Sequence, residues 1–128
     1  MKRLTEKQWA SILLVLGILI YYLEGIWINP FALWNAAPLV ISYLIFCEAI
    51  KSKSKAIEYG FYFYTFLSIT LLFAGHFAWY FDWGGTKTGS STSALLFIFL
   101  PVYAVILGGI GYLLGWAIAR VISHDKST

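Results

Sequence analysis

Four long apolar runs, separated by short polar or basic segments, set the pattern of this chain. Each run is longer than the core helix of a soluble domain, and a helix of about 20 residues at 1.5 Å rise crosses the hydrocarbon of a bilayer. The pattern predicts helices over 8–27, 31–50, 57–81 and 94–119, with a polar loop at 82–93. Thr5-Glu6-Lys7-Gln8 fits a capping box, so the first helix is expected to begin near Glu6. Asn29-Pro30 breaks the chain after it, and Lys51-Ser52-Lys53-Ser54-Lys55 ends the second run. A serine near 90–93, or Thr92, is expected to cap the last helix, and Pro101 is expected to kink it. The fold class is therefore an all-α integral membrane protein: one four-transmembrane-helix antiparallel bundle over 1–128.

Composition agrees. Hydrophobic residues make up 60% of the chain, charged residues only 12%, and mean hydropathy is +0.76, too little charge to cover a soluble surface of this size. The apolar first run follows Met1-Lys2-Arg3 as in a secretory signal. It is too long for one, however, and leads into Tyr21, Tyr22, Glu24 and Trp27 instead of a small-residue cleavage site, so it is expected to be retained.

Charge orients the bundle. Lys2, Arg3 and Lys7 precede the first run; Lys51, Lys53 and Lys55 link the second and third; Arg120 and Lys126 follow the fourth. Only Lys87, of nine Lys and Arg residues, falls on the other face. The positive-inside rule then places both termini in the cytoplasm and the protein in the cytoplasmic (inner) membrane. Trp27, Trp34, Trp79 and Trp83 at one face, with Trp9 and Trp116 at the other, match an aromatic belt. The net charge of +3 is spread over short juxtamembrane segments, which suits anionic lipid and excludes a nucleic-acid partner.

Each run has one small or polar side suited to a bundle interior. In the fourth it is Ala104, Gly108, Gly111, Gly115 and Ala119, a helix-packing seam that either stays within the molecule or pairs two copies. In the third it is Glu58, Tyr62, Thr65, Ser68, Leu72, Gly75, His76 and Trp79. In the second it is Asn35, Pro38, Ser42 and Ala49, and in the first Ala10, Gly17 and Glu24.

Candidate chemistry is sparse. Glu24 interrupts an apolar run, and a carboxylate in a span costs about 2.5–3.5 kcal/mol at mid-bilayer depth, less toward the interface. It is a candidate site for a proton, a cation or a cationic substrate, with Asn35, His76 and Asp82 as neighbours at the outer end. The alternative is a carboxylate that snorkels to the headgroups or is held by Asn35 or a tyrosine. His76 is expected to be a hydrogen-bonded histidine, since the acidic residues around it lack metal-ligand spacing. No metal and no cofactor is expected: His76 and His124 lie at opposite faces, too far apart to share a haem.

Other motifs lack the features their chemistry requires. The run Gly84-Gly85-Thr86-Lys87-Thr88-Gly89 lacks the lysine after its last glycine and the preceding strand of a phosphate loop. Ser123-His124-Asp125 holds triad residue types, but adjacency cannot give triad geometry. Glu48 and Glu58 are expected to pair with the neighbouring lysines. Cys47 is the single cysteine, so no intrachain disulfide forms. Size and span count are similar to those of small multidrug transporters and small fluoride channels. The deeper first-helix glutamate of the former and the glycine, asparagine and phenylalanine signatures of the latter are absent here. The leading expectation is a non-enzymatic subunit, assembly factor or partner-binding module, working with a membrane-protein partner or a second copy. The alternative is a small transporter or channel using Glu24.

Overall fold

The structure, a computed structural model, describes residues 4–25 and 27–127; Lys2 and Arg3 of the charge pattern lie outside the described residues. It is all-helical, with no strand among the described residues, and four of its helical segments are long and apolar enough to cross a membrane.

Helix α1 (Glu6–Glu24) opens on the capping box: the Gln8 N–H donates to Thr5 Oγ1 at 3.2 Å, and the Thr5 N–H to Gln8 Oε1 at 2.9 Å. It stops before the expected Trp27. Gly25 adopts φ 72, and its N–H turns back to the Tyr22 carbonyl, a left-handed cap that glycine takes without steric cost. The expected single second helix is two: α2 (Phe31–Asn35) and α3 (Ala37–Ser52). Pro38 has no N–H to offer the Trp34 carbonyl one turn back, so the hydrogen-bond ladder lapses there. Together α2 and α3 still make one span, Phe31–Ser52.

Helix α4 (Lys55–Tyr80) follows a tight reversal. Lys53 takes φ 53, and Ser54 caps the new helix by accepting the Ile57 N–H at 3.4 Å. Helix α5 (Leu96–Asp125) starts later than Ala94 and runs past Ala119. No serine or threonine side chain caps it. Ser90 and Thr92 bond each other at 2.9 Å, and a 3-10 turn, Ser93–Leu95, leads into the helix. Helix α5 continues through Pro101.

Contacts fix the register. Phe46 meets Phe61, Ser42 meets Thr65, and Tyr64 donates to the Pro38 carbonyl, so α3 and α4 are antiparallel. Gly115 lies on the Tyr59 carbonyl and Gly75 on Leu100, so α4 and α5 are antiparallel as well. Trp9 meets Phe61 while Glu24 meets His76, which makes α1 and α4 parallel. One end of the bundle therefore carries Lys7, Lys51, Lys53, Lys55 and Arg120, and is called the lysine end below. The other carries the 82–93 loop and is called the loop end.

Helix α4 is central, and α5 is its closest neighbour. Ala104, Gly108, Gly111, Gly115 and Ala119 are all buried. A Cβ on Gly115 would stand 2.5 Å from the Tyr59 carbonyl oxygen, and one on Gly111 would stand 2.9 Å from that of Phe63. The neighbours are backbone and cannot step aside, so only hydrogen fits there. The opposite surfaces are apolar and open: Leu14 is 66%, Phe66 69% and Leu113 65% exposed.

Candidate functional site

Glu24 is the last residue of α1, and the Gly25 cap turns the chain away immediately after it. The carboxylate therefore points back into the bundle instead of out past the helix end, and its side chain is fully buried. It neither snorkels nor bonds Asn35 or a tyrosine. Its partners are His76 and Asn29. His76 Nε2 stands 3.2 Å from Glu24 Oε1, and the Asn29 side-chain amide donates to Glu24 Oε2.

His76 comes from α4 and is also fully buried. Its Nδ1 bonds the Leu72 carbonyl one turn earlier at 2.7 Å, which fixes the ring's tilt. The ring lies between Phe73, at a centroid distance of 6.5 Å, and Phe97 of α5, at 5.5 Å. Asn29 is held in turn: its Oδ1 accepts the Phe31 N–H at 3.0 Å, at the start of α2. Three segments (α1, the turn before α2, and α4) thus converge on one carboxylate.

Asn35 is buried but bonds neither Glu24 nor His76. Its amide donates to the Phe31 carbonyl at 2.9 Å and to the Phe97 carbonyl at 3.0 Å. The second bond has a clear cause. Within α5 the Phe97 carbonyl would receive the N–H of residue 101, and Pro101 has none. Asn35 supplies the missing donor, and Trp34 adds an indole N–H to the Ile98 carbonyl at 2.9 Å. The proline gap in α5 is thereby the dock for α2. Asn35 Oδ1 stays buried with no partner among the described residues.

Asp82 belongs to a different feature. Its Oδ1 accepts the backbone N–H groups of Lys87 at 2.8 Å and Thr88 at 3.0 Å, and its Oδ2 accepts the Thr88 hydroxyl at 2.5 Å. The Thr88 hydroxyl, helped by the two backbone donors, holds the Asp82 carboxyl below the usual carboxylate range. Lys87 lies over the Trp79 ring, 5.9 Å from its centroid. Asp82 thus organises the 82–88 loop.

Of the four candidates, the structure joins Glu24 to His76, places Asn35 one residue away behind Phe97, and puts Asp82 elsewhere. Asn29, whose place before Pro30 marks it in the sequence only as a helix breaker, is the third member of the site. Its signal was an amide in a tight reversal five residues after a carboxylate. No group of three or more His, Cys, Asp or Glu side chains is arranged to hold a metal ion among the described residues.

A second feature lies on the outside. An apolar groove of about 480 Å³ runs between α1 and the α2–α3 pair, lined by Ala10, Gly17, Ile18, Ala32, Leu33 and Ala36 among others. A Cβ on Gly17 would meet nothing within 4 Å. Comparison with protein-family models, with curated proteins and with solved structures gives no match to this chain.

Proposed function

We propose that the chain is a four-pass protein of the cytoplasmic membrane, with both termini cytoplasmic, that works as a non-enzymatic, partner-binding subunit or assembly factor. The membrane reading is supported by four apolar helices whose outward faces carry exposed Leu, Ile and Phe, which water would penalise at about 25 cal/mol per Å². The orientation is supported by Lys7, Lys51, Lys53, Lys55 and Arg120 sharing one end, against Lys87 alone at the other.

One observation carries the partner-binding reading. Glu24, His76 and Asn29 are spent on one another and the Asn35 amide on a carbonyl left open by Pro101, whereas the groove beside α1 is open, apolar and lined in part by the small residues Ala10, Gly17, Ala32 and Ala36. Small residues allow close backbone approach, which is how helices associate in lipid. A photo-crosslinker at Leu33, in native membranes, tests it. The expected result is a discrete protein adduct that the same probe at Leu113, on an exposed face of α5, does not give. Lipid adducts alone from both positions would overturn the reading.

A second reading, transport of a proton or cation through Glu24, is favoured by the buried Glu24–His76 pair. Flux through reconstituted wild type that disappears in Glu24→Gln would establish it. Equal background flux in both proteins would remove it.

A further inference from the structure

Hydrogen-bond geometry around Glu24 fixes where the hydrogens lie. The Leu72 carbonyl can only accept, so the 2.7 Å bond to His76 Nδ1 places a hydrogen on Nδ1. Asn29 is oriented by the same logic. The Phe31 N–H donates to its Oδ1, so its NH₂ group faces Glu24 Oε2 and donates there. What remains is the 3.2 Å line between His76 Nε2 and Glu24 Oε1.

That line needs one hydrogen. With none, lone pair would face lone pair inside a fully buried, negatively charged pair, a costly arrangement where water cannot screen it. With one, the pair is either imidazolium and carboxylate or imidazole and carboxylic acid, and it is neutral in both forms. A second hydrogen would go to Oε2, the oxygen that the Asn29 amide engages. Oε1 is engaged by the shared proton, and an Oε2 turned into a neutral hydroxyl is a much weaker acceptor for the Asn29 amide than a carboxylate oxygen.

Access is one-sided. Asn29 is half-buried, and Trp27, Ile28 and Pro30 beside it are exposed at the loop end. Toward the lysine end the pair is closed by Ile20 and Leu72, both without exposure, and then by Leu13, Trp9, Phe46 and Phe61. Along α4, Thr70 is exposed on the outer face, and the next hydroxyls inside the bundle are Ser68 and Thr65, of which Thr65 is bonded to Ser42 at 2.7 Å. Other titratable groups nearby are engaged elsewhere. On α1, Tyr21 donates to the Trp27 carbonyl and Tyr22 lies against Tyr80 of α4; in the loop, Asp82 holds Thr88 and Lys87 covers Trp79. Asn35 of α2 and Phe97 of α5 bring no ionisable group.

We propose that Glu24 and His76 form a one-proton binding site open to the loop end, and that uptake of a second proton breaks the Asn29–Glu24 bond and frees the connection at 27–30. The site senses acid at one face and does not pass protons through the bundle. The inference rests on the fold alone and stands whatever partner the groove takes.

A spin label on Ile28→Cys, in a Cys47→Ala background reconstituted in phosphatidylcholine vesicles, reads the mobility of the connection. The pH is taken from 8 to 4, a range that brackets ordinary histidine and glutamate values of roughly 6.5 and 4.3. In otherwise wild-type protein the mobile fraction is expected to rise on acidification with the slope of a single proton, about tenfold in the mobile-to-ordered ratio per pH unit. Glu24→Gln/His76→Gln leaves no group at the pair to take up a proton, and is expected to show no transition between pH 8 and 4. Asn29→Ala is expected to be mobile at every pH, and Asp82→Asn to keep the wild-type transition. A pH-independent wild type overturns the proposal, even if no variant folds. So does a transition that persists in Glu24→Gln/His76→Gln, vanishes in Asp82→Asn, or is accompanied by an ordered Asn29→Ala.

Discussion

The two ends of this bundle are held by different forces. At the lysine end, Trp9, Phe46 and Phe61 pack in tilted and edge-on pairs with ring centroids 5.1–5.9 Å apart, and Gly111 and Gly115 bring the α5 backbone onto that of α4. At the loop end, Glu24, His76, Asn29 and Asn35 join five segments (α1, the turn before α2, α2, α4 and α5) through directional bonds. Packing contacts are indifferent to protons and salt; a buried carboxylate–imidazole pair is not. The lysine end is thus the fixed part of the molecule and the loop end the part that can answer to its surroundings.

The largest effect should come from the fixed end. Gly111→Leu with Gly115→Leu drives side chains into the Phe63 and Tyr59 carbonyls, and overpacking costs about 1–3 kcal/mol or more per site even where neighbours can yield. Here the neighbours are backbone, so the double variant is expected to lose the folded state, seen as lost helical cooperativity on titration from mild to denaturing detergent. A melting curve like that of wild type would refute the seam. Next comes His76→Ala, which leaves Glu24 buried without its principal partner. Breaking such a pair costs about 3–5 kcal/mol, and the loss should shrink in Glu24→Gln/His76→Ala, where no charge is stranded.

Smaller again is Asn35→Leu. It removes the donor that fills the Pro101 gap, and interhelical hydrogen bonds in lipid average about 0.6 kcal/mol with a maximum near 1.7. Restoring a backbone donor with Pro101→Ala should recover most of that loss; if it does not, Asn35 is not acting through the Phe97 carbonyl. The slightest effect belongs to Asp82. Its carboxyl is held below the ordinary aspartate value of about 3.9, so the order it gives the loop is complete above that value and fades only as pH falls through the lower folded value. The Thr88 amide resonance should report this, at a pH more acid than an unperturbed aspartate would show.

The helical spans were legible because their signals are local or periodic: apolar runs of the right length, a capping box, a glycine every turn in α5. The ends were less so. Gly25 and Pro38 act through backbone geometry that an apolar window does not weigh, and they shortened α1 and divided α2 from α3. The helix is continuous through Pro101, and the donor that proline lacks at the Phe97 carbonyl comes from Asn35, 62 residues from Phe97 along the chain. Glu24 and His76 were each conspicuous as polar residues in apolar runs. Their pairing follows from the parallel course of α1 and α4, which brings residues 52 apart to one level. Asn29 could not be singled out by type, since its role depends on the turn that aims it back at α1.

The shared proton at the loop end is the central claim, and nitrogen-15 NMR of His76 tests it most directly. Nδ1 is expected to be protonated throughout, Nε2 in the wild type to report a hydrogen shared with a carboxyl group, and Glu24→Gln to convert Nε2 into a bare acceptor. An unprotonated Nδ1, or an Nε2 signal unchanged by Glu24→Gln, would contradict it.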